Sequence, residues 1–423
     1  MRRRDTLVAL GAATVASARA ARAAPADTML ADVAAYDALG EHRTASPGDT
    51  ATTAWMIRRL RAAGLTAVPQ AFQVPLFTPG ECGLRVGAEM LPAFPGWPAK
   101  TTPVGGLTGP LAPHDAPDLS GRIALIVLDR ERGGAWAAKG VGDVAMQTAR
   151  RGPLAIVVVT GGPTGAVVAL NTDLARFDWP VPVLLAPGRL AAQLTALAAT
   201  GAPATAVLTG TLTSAATADN VVARRPGTGP GVVVSTPKTG WFHCAGERGT
   251  GIAVFLDLAR RLAAGTRCDL TFVAFAGHEL DYLGARRFRP SAPAPSKVGV
   301  WLHIGADAAM QPLTVKNGVA APAPRSAPIR RATAAPAVLA AASAAFDAGA
   351  GFAPAAPLTE ANAAGELSVF RPDYTMLAGF LGANPLFHTP LDRADVATTA
   401  EELRTVAHAA RGFLRAALAG ARG

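Results

Sequence analysis

Two neighbouring stretches of the chain carry the residue types that acid-base and metal chemistry require. Residues 240–262 read GWFHCAGERGTGIAVFLDLARRL, and residues 271–285 read TFVAFAGHELDYLGA. In both stretches an apolar, β-rich run ends in a turn of small residues that carries histidines or acids, and a helix-like pattern follows. The pattern predicts that these polar groups stand at the carboxyl ends of strands, which is where α/β sheets place their chemistry.

Other segments of the sequence indicate the elements that position these turns. Short apolar runs at residues 231–236, 268–277 and 297–306 are typical of strands buried in a mostly parallel sheet. Helices are expected at 249–263 and 399–418. Residues 317–365 are rich in Ala and Pro, so we expect loops there with one helix, Pro336 to Phe346.

The amino-terminal part is expected to be helical and then extended. Residues 27–63 read as helical segments that stop at Gly64, and TAVPQAFQVP (66–75) alternates like a strand. The Pro- and Gly-rich passage 75–109 favours loops or edge strands.

The beginning of the chain has the pattern of an export signal. A basic cluster, Arg2 to Arg4, precedes a short apolar run and small residues, which favours a twin-arginine-like signal over 1–24 with cleavage near Ala24. The mature protein is then expected to be periplasmic or secreted. No other stretch has the roughly 20 unbroken apolar residues that a membrane span needs, so we expect no stable membrane insertion after cleavage.

Length and charge limit the remaining classes of function. At 423 residues with 50% hydrophobic residues, the chain is expected to form two folded units. Removing the signal, with its five arginines and one aspartate, lowers the net charge from +10 to +6, and the mature chain has only five lysines. This mild charge argues against nucleic-acid binding. The three cysteines, Cys82, Cys244 and Cys268, are too few for a disulfide framework or a cysteine zinc site, although one pair could oxidise after export.

The order of the polar motifs resembles that of the zinc-dependent aminopeptidase-like hydrolases, the superfamily of the bacterial leucyl aminopeptidases and the glutaminyl cyclases. NPLFHTPLDRAD (384–395) is similar to the last ligand loop of that family, and the GHEL turn at 277–280 is similar to its Glu-Glu turn. The resemblance implies an α/β fold with a mostly parallel, doubly wound sheet in three αβα layers. Residues 100–217 resemble an inserted protease-associated domain, between parts of the catalytic domain at 27–99 and 218–423.

The resemblance also implies a set of metal ligands, in which several donors are exchanged. Glu247 corresponds to the carboxylate that bridges two metals in relatives, and Glu279 to a ligand. His303 stands where relatives have a ligand aspartate, with Asp307 as a competing candidate, and His388 corresponds to the last ligand. One zinc ion held by His303, His388 and either Glu247 or Glu279 is therefore expected, with an open position for water or substrate.

Two positions of the family pattern are lost, and a third is changed. Thr236 replaces a ligand histidine and Lys238 replaces the aspartate that orients it, so a second zinc ion is not expected; Lys238 could instead hold an anionic group of the substrate. His278 stands at the position of the general base, and it could act as base, as ligand or as a structural residue. Trp241 and His243 are the other candidates for substrate contacts.

Three functions follow from these expectations. The first is an exported hydrolase that cleaves an amide, a peptide or a related small polar substrate through a single, remodelled zinc site, with catalytic roles for His278, Glu279 and Lys238. The second is a catalytically silent binding protein that retains the fold. The third is a non-hydrolytic cyclase or lyase on the same fold. The substrate and the oligomeric state are not indicated by the sequence.

Overall fold

The computed structural model describes residues 25–128 and 134–420. The export signal predicted at 1–24 lies outside the described residues. The helices are, in chain order, α1 Pro25–Asp37, α2 Pro47–Ala62, α3 Val141–Ala149, α4 Ala191–Thr200, α5 Thr250–Gly265, α6 Leu283–Phe288, α7 Leu339–Ala345, α8 Leu367–Phe370, α9 Ala394–Ala397 and α10 Ala400–Gly420. In these two ranges, no helix is both long enough and apolar enough to cross a membrane.

Sixteen strands are described, and fourteen of them share one sheet. They are β1 Thr66–Val86, β2 Glu89–Pro92, β3 Phe94–Pro95, β4 Leu107–Pro113, β5 Ile123–Val127, β6 Ala155–Thr160, β7 Val183–Pro187, β8 Pro203–Arg225, β9 Gly229–Pro237, β10 Cys268–Phe275, β11 Val298–Ile304, β12 Leu313–Lys316, β13 Val319–Pro322, β14 Arg330–Ala334, β15 Ala356–Pro357 and β16 Leu377–Gly382. The hairpin of β12 and β13 forms a separate two-stranded sheet.

The carboxyl-terminal half of the sheet has a mostly parallel centre. Strands β10, β9, β11 and β16 run parallel in that order, while β14 and β8 flank them as antiparallel neighbours. Alternate residues of the central strands face opposite sides: Val232 and Val234 pack towards α1, α5 and α10, whereas Val233 packs on the side of α6 and α8. Burial on both sides explains why these strands read as continuous apolar runs, and it gives the three-layer αβα arrangement that was expected.

The strands from β4 to β7 form a second parallel set, in the segment that resembles a protease-associated domain. They run in the order β4, β5, β6, β7, and buried apolar clusters cover both faces of this set. The 23-residue strand β8 joins the two sets, because it pairs with β4 near its start and with β10 near its end. The proposed domain boundary at residue 217 falls inside β8, and the division into domains stays a prediction.

The structure confirms the two long helices of the carboxyl-terminal half and extends one expected strand. Helices α5 and α10 begin within a residue of the predicted starts, and the expected helix at 336–346 is a 3-10 turn followed by α7. The strand expected at 66–75 continues to Val86, because β1 pairs with β8 along its length. Register shifts at Val74/Leu76 and Pro79/Cys82 accommodate the prolines that had indicated loops.

A candidate active site at the strand ends

The side chains predicted to act together lie beyond the carboxyl ends of β9, β10 and β11. Glu247 stands in a π-helical turn, Ala245–Gly249, that leads into α5. His278 and Glu279 stand in the 3-10 turn that follows β10, and His303 is the penultimate residue of β11. Because these three strands are parallel, their ends meet at the same edge of the sheet, as the sequence predicted.

Glu247 and His388 form the first contact of the site. His388 Nε2 lies 3.2 Å from Glu247 Oε1, and Arg248 Nη2 lies 2.5 Å from the same oxygen; all three side chains are buried. Burial raises the pKa of Glu247, but Arg248 and His388 outweigh it and hold the pKa at about 2. Glu247 is therefore an anion buried between a guanidinium and an imidazole.

The orientation of His388 is fixed by the segment between β6 and β7. Its Nδ1 is 2.9 Å from the carbonyl oxygen of Ala169, while the N–H of Ala169 donates to the carbonyl of His388 at 2.9 Å. A carbonyl only accepts, so Nδ1 carries a proton and Nε2 is the nitrogen that faces Glu247. The segment between β6 and β7 thus sets the orientation of a predicted ligand.

A second carboxylate, Glu366, joins two of the histidines. Its Oε1 is 2.9 Å from His278 Nδ1, and its Oε2 is 3.3 Å from His303 Nε2. On the other side of His303, Nδ1 is 2.9 Å from Ser235 Oγ, which accepts a hydrogen bond of 2.8 Å from the indole N–H of Trp301. Burial raises the pKa of Glu366, but His278 and His303 outweigh it and bring the pKa well below its usual range. Glu366 is thus ionised and connects both imidazoles.

Glu279 is occupied by hydrogen bonds to neighbouring residues. Its Oε1 accepts from the backbone N–H of Thr44 at 2.6 Å, and its Oε2 accepts from the hydroxyl of Thr239 at 2.9 Å. The side chain is fully buried. Its use as a metal ligand or catalyst stays a prediction.

Lys238 lies in the core beside the site. Its ammonium group contacts Asp49 at the start of α2, and its exposed side-chain fraction is 0% against 2% for Asp49. Lys238 does not line the cavity described below. Thr236, which replaces the ligand histidine of relatives, is also buried. Contact between Lys238 and a substrate therefore stays a prediction, which the ion pair with Asp49 does not support.

Asp392 holds the turn that carries Glu247. Its two oxygens accept hydrogen bonds from the backbone N–H groups of Gly246 and Glu247, at 2.7 and 2.9 Å. Burial raises the pKa of Asp392 to about 7, with a further contribution from the charge of Glu247. Burial and the same charge raise the pKa of Asp307 well above its usual range. The carboxylates on this side of the site thus influence one another's ionisation.

A cavity of about 400 Å³ opens onto the site. Its wall includes His278, His303 and Glu366 from the carboxyl-terminal half, together with Gly134 and Asn171 from the segment that resembles a protease-associated domain. A Cβ atom on Gly134 would stand 2.5 Å from His388 Nδ1. Residue 134 therefore needs to be glycine for the wall to approach His388 this closely.

The two remaining candidates for substrate contacts do not line this cavity. Trp241 is buried, and its indole N–H donates to Asn171 Oδ1 at 2.8 Å. His243 Nδ1 lies 3.0 Å from both the carbonyl oxygen and Oδ1 of Asp37, at the end of α1. Trp241 is thus hydrogen-bonded to Asn171, a residue of the cavity wall. Direct substrate contacts of Trp241 and His243 stay predictions.

Backbone strain is concentrated around the site. Eight non-glycine residues of the described ranges have positive φ angles. Six of them lie in the site or in its turns: Phe242, Cys244, Asp281, Tyr282, Asp307 and His388. Such conformations are costly for residues with a Cβ and persist where the surrounding structure enforces them, commonly at functional sites. The strain supports the assignment of this edge as the functional one.

The donor atoms of the site are imidazole nitrogens and carboxylate oxygens, which are types that zinc binds in proteins. Buried atoms without a hydrogen-bond partner include Nε2 of His303 and His388 and carboxylate oxygens of Glu247, Asp307 and Glu366. The contacts between them are ion pairs, at 3.2 Å for His388 with Glu247 and 3.3 Å for His303 with Glu366. Over 25–128 and 134–420, however, no group of three or more His, Cys, Asp or Glu residues is arranged to hold a metal ion.

Three important residues of the site were not identified from the sequence. Glu366 directly follows the Ala- and Pro-rich segment 317–365, which lacked a motif, and Asp49 lies in α2, 189 positions before its partner Lys238. Arg248 directly follows Glu247 and could have been noticed as a cation next to a predicted ligand. The cysteines contribute no cross-link, since Cys82, Cys244 and Cys268 are all free.

Comparisons with known proteins support the fold. No model of a known protein family matches the chain, and no curated protein matches it by sequence. Among solved structures, it is similar to the zinc aminopeptidase of Bacillus subtilis, with 17% identity, a TM-score of 0.70, and 93% of this chain and 94% of that chain covered. It is also similar to a peptidase M28 precursor from Shewanella amazonensis, with 16% identity, a TM-score of 0.71, and 92% and 96% covered.

A third similar structure is an aminopeptidase from an Aneurinibacillus species, with 19% identity, a TM-score of 0.64, and 92% of this chain and 93% of that chain covered. The alignments therefore include both parallel sets of strands and not only the strand ends around the site. At these identities the similarity establishes the fold alone. The chain has the mostly parallel α/β fold of the aminopeptidase-like proteins.

Proposed function

We propose that the chain is an exported, zinc-dependent enzyme of aminopeptidase-like fold that hydrolyses an amide, a peptide or a related small polar substrate. The observation that carries the proposal is the set of buried imidazole and carboxylate donors without hydrogen-bond partners beside a 400 Å³ cavity. Buried polar atoms without hydrogen bonds are costly even where they form ion pairs, and His303, Asp307 and Glu366 line the cavity, so their concentration favours a bound ion, water or substrate there.

Glu247, His303 and His388 are the residues we propose to hold a single zinc ion. Glu247 is favoured over Glu279 as the acidic donor, because Glu247 Oε1 lies 3.2 Å from His388 Nε2, whereas the oxygens of Glu279 face Thr44 and Thr239. Zinc in such a site supplies a water of lowered pKa and polarises a carbonyl group. Glu247 and His388 already lie in contact, whereas His303 is now paired with Glu366.

His278 is the residue we propose to move the proton. Its hydrogen bond to Glu366 Oε1 assigns the proton of the neutral ring to Nδ1, which leaves Nε2 free to accept a proton from the attacking water. Glu366 then stabilises the imidazolium that forms. As the hydroxide adds to the carbonyl carbon and the C–N bond breaks, the proton passes from Nε2 to the leaving amine.

Metal analysis of the purified protein tests the zinc-dependent function. We expect about one equivalent of zinc and hydrolysis of a panel of small amides and peptides that is lost with chelation and restored by zinc. His388→Ala should lose metal and activity, whereas His408→Ala, on the exposed side of α10, should retain both. Less than about a tenth of an equivalent in the wild-type protein, with no activity restored by added zinc, would refute the proposal.

A catalytically silent binding protein is the second candidate. It is favoured by the buried cations Lys238 and Arg248, which stand beside acids of the site and reduce its negative charge. In that case His388→Ala and Glu279→Ala would leave ligand binding unchanged. The same pair of variants separates the two candidates, because the enzyme requires His388 for its metal.

A further inference from the structure

One charged side chain in the wall of the cavity is exposed and unpaired. Arg331 lies on β14, where its neighbour Arg330 points into the core and pairs with Glu402. The guanidinium of Arg331 makes no hydrogen bond or ion pair with any of the described residues, and Arg331 lines the same cavity as His278 and Glu366. Within the described ranges, an incoming ligand therefore meets a positive charge without a counter-ion in the wall that also carries the proposed base.

The acidic groups of the same wall do not offset this charge. Asp307 and Glu366 are both buried, with exposed fractions of 4% and 1%. The two oxygens of Glu366 already face the rings of His278 and His303. Among the lining residues that belong to 25–128 and 134–420, none presents an exposed carboxylate to a free amino group, while Arg331 presents an exposed guanidinium.

The position of Arg331 also joins the cavity to a smaller one. A second cavity of about 270 Å³ is lined by Arg331 and by small residues, among them Ala361, Ala363 and Ala364, and it shares Arg331 and Ala364 with the main cavity. The two cavities thus adjoin at Arg331 and Ala364. The arginine is therefore placed to bind a group in the middle of a ligand that occupies both cavities and not only at its outer end.

We propose that Arg331 binds an anionic group of the substrate, so that the enzyme acts on acidic amides or peptides in preference to substrates recognised through a free amine. This inference rests on the proposed function for the site, and it names the substrate class. A planar guanidinium can bind a carboxylate through two parallel hydrogen bonds, which gives both affinity and orientation. Arg331 would act in binding and would not take part in proton transfer.

Binding of matched probes tests the inference independently of catalysis. The α-amides of N-acetylglutamate and N-acetylglutamine have nearly the same shape; the first, the acid, carries one side-chain carboxylate, and the second, the amide, carries no anionic group. Their affinities for the full protein can be measured by isothermal titration calorimetry. We expect the acid to bind at least about tenfold more tightly than the amide, as charge-assisted hydrogen bonds typically allow. Arg331→Gln should abolish the difference, and Arg331→Lys should retain part of it.

The matched control is Arg404→Gln, which removes an exposed arginine from α10, outside this cavity. It should leave the preference unchanged. With active enzyme, Arg331→Gln should raise KM for acidic substrates about tenfold and leave kcat within about twofold.

The outcomes separate this inference from the proposed function. Equal affinity of the wild-type protein for both probes, or no binding of either, overturns the role of Arg331 even where zinc and hydrolysis are established. A preference that Arg404→Gln removes as fully as Arg331→Gln also overturns it. A preference that depends on Arg331 in a protein without zinc or hydrolysis supports the anion site and refutes the enzymatic function.

Discussion

Replacing Lys238 by methionine is expected to destabilise the protein more than it changes binding. The ammonium group and the carboxylate of Asp49 are both almost fully buried, so the substitution leaves a buried anion without its cation. Asp49 would keep its hydrogen bond of 2.9 Å from the backbone N–H of Ala45, but that bond does not balance the charge. Breaking a buried pair in this way typically costs about 3–5 kcal/mol, against about 1 kcal/mol or less at the surface.

Differential scanning calorimetry and urea unfolding followed by circular dichroism would measure the loss. We expect the thermal midpoint of Lys238→Met to fall by about 5 °C or more, since about 1 kcal/mol corresponds to a few degrees in a domain of this size. The double variant Lys238→Met/Asp49→Asn should recover about 2 kcal/mol, because it removes the unpaired charge as well. Lys297→Met, at an exposed position, provides the control.

The pH dependence of the same variant gives a second readout. Burial raises the pKa of Asp49, and Lys238 lowers it. Without Lys238 the carboxyl group binds a proton at higher pH in the folded state, so the deficit in stability should shrink as the pH falls. A midpoint for Lys238→Met within about 2 °C of the wild type, combined with a changed KM, would refute this reasoning and return Lys238 to the role of a substrate contact.

Three further predictions concern the site itself. Glu366→Gln should lower kcat by at least about a hundredfold while the far-ultraviolet spectrum is retained, because His278 loses the carboxylate that stabilises its protonated form. Gly134→Ala should lower activity and thermal stability together, since its methyl group would overlap the ring of His388. Asp392→Asn should flatten the dependence of stability on pH between about pH 4 and 7. The pKa of Asp392 in the folded protein is raised to about 7, so the folded wild-type protein binds more protons than the unfolded chain in this range. The wild type therefore loses stability as the pH rises, and the variant should not.

Each of these predictions has a control or a contradicting result. For the glycine substitution, the control is Gly265→Ala at the end of α5, where an added methyl group would meet open space; equal effects of the two alanines would contradict the steric argument. Full activity of Glu366→Gln would remove His278 and Glu366 from proton transfer. A profile for Asp392→Asn that is parallel to that of the wild type from about pH 4 to 7 would show that another group titrates there.

The strands of the sheet could be predicted well where a continuous apolar run in the sequence corresponds to burial on both faces. The strands β9, β10 and β11 were recognisable because they are buried on both faces, which forces continuous apolar runs. Strand β1 was recognised only over its first half, because Pro75 and Pro79 indicate loops unless a long antiparallel partner is known. The pairing of β1 with β8 joins segments more than 100 residues apart, which local patterns do not report.

The residues of the candidate site could be predicted where they lie at the end of a strand or in the turn that follows it. They could not be predicted where a segment distant in sequence contributes the side chain. Glu247, His278 and His303 were found because their strands and turns have recognisable spacing. Glu366 follows Gly365, which has a φ of 61°, in a segment without a regular hydrophobic period, so no local rule brings its carboxylate to two histidines. The ion pair of Lys238 was missed for the same reason, since Asp49 is contributed by a helix near the amino terminus.

The long shared strand β8 has a consequence for any attempt to divide the protein. Its residues 205–213 pair with β1 from Leu76 to Arg85, and its residues 216–224 pair with β1 from Thr66 to Val74. A shortened protein that lacked residues 100–217 would keep the second pairing from residue 218 onwards and lose the first. The outer half of β1 would then be an open strand edge, which favours aggregation between molecules. Truncated versions of this chain should therefore aggregate unless β1 is shortened together with β8.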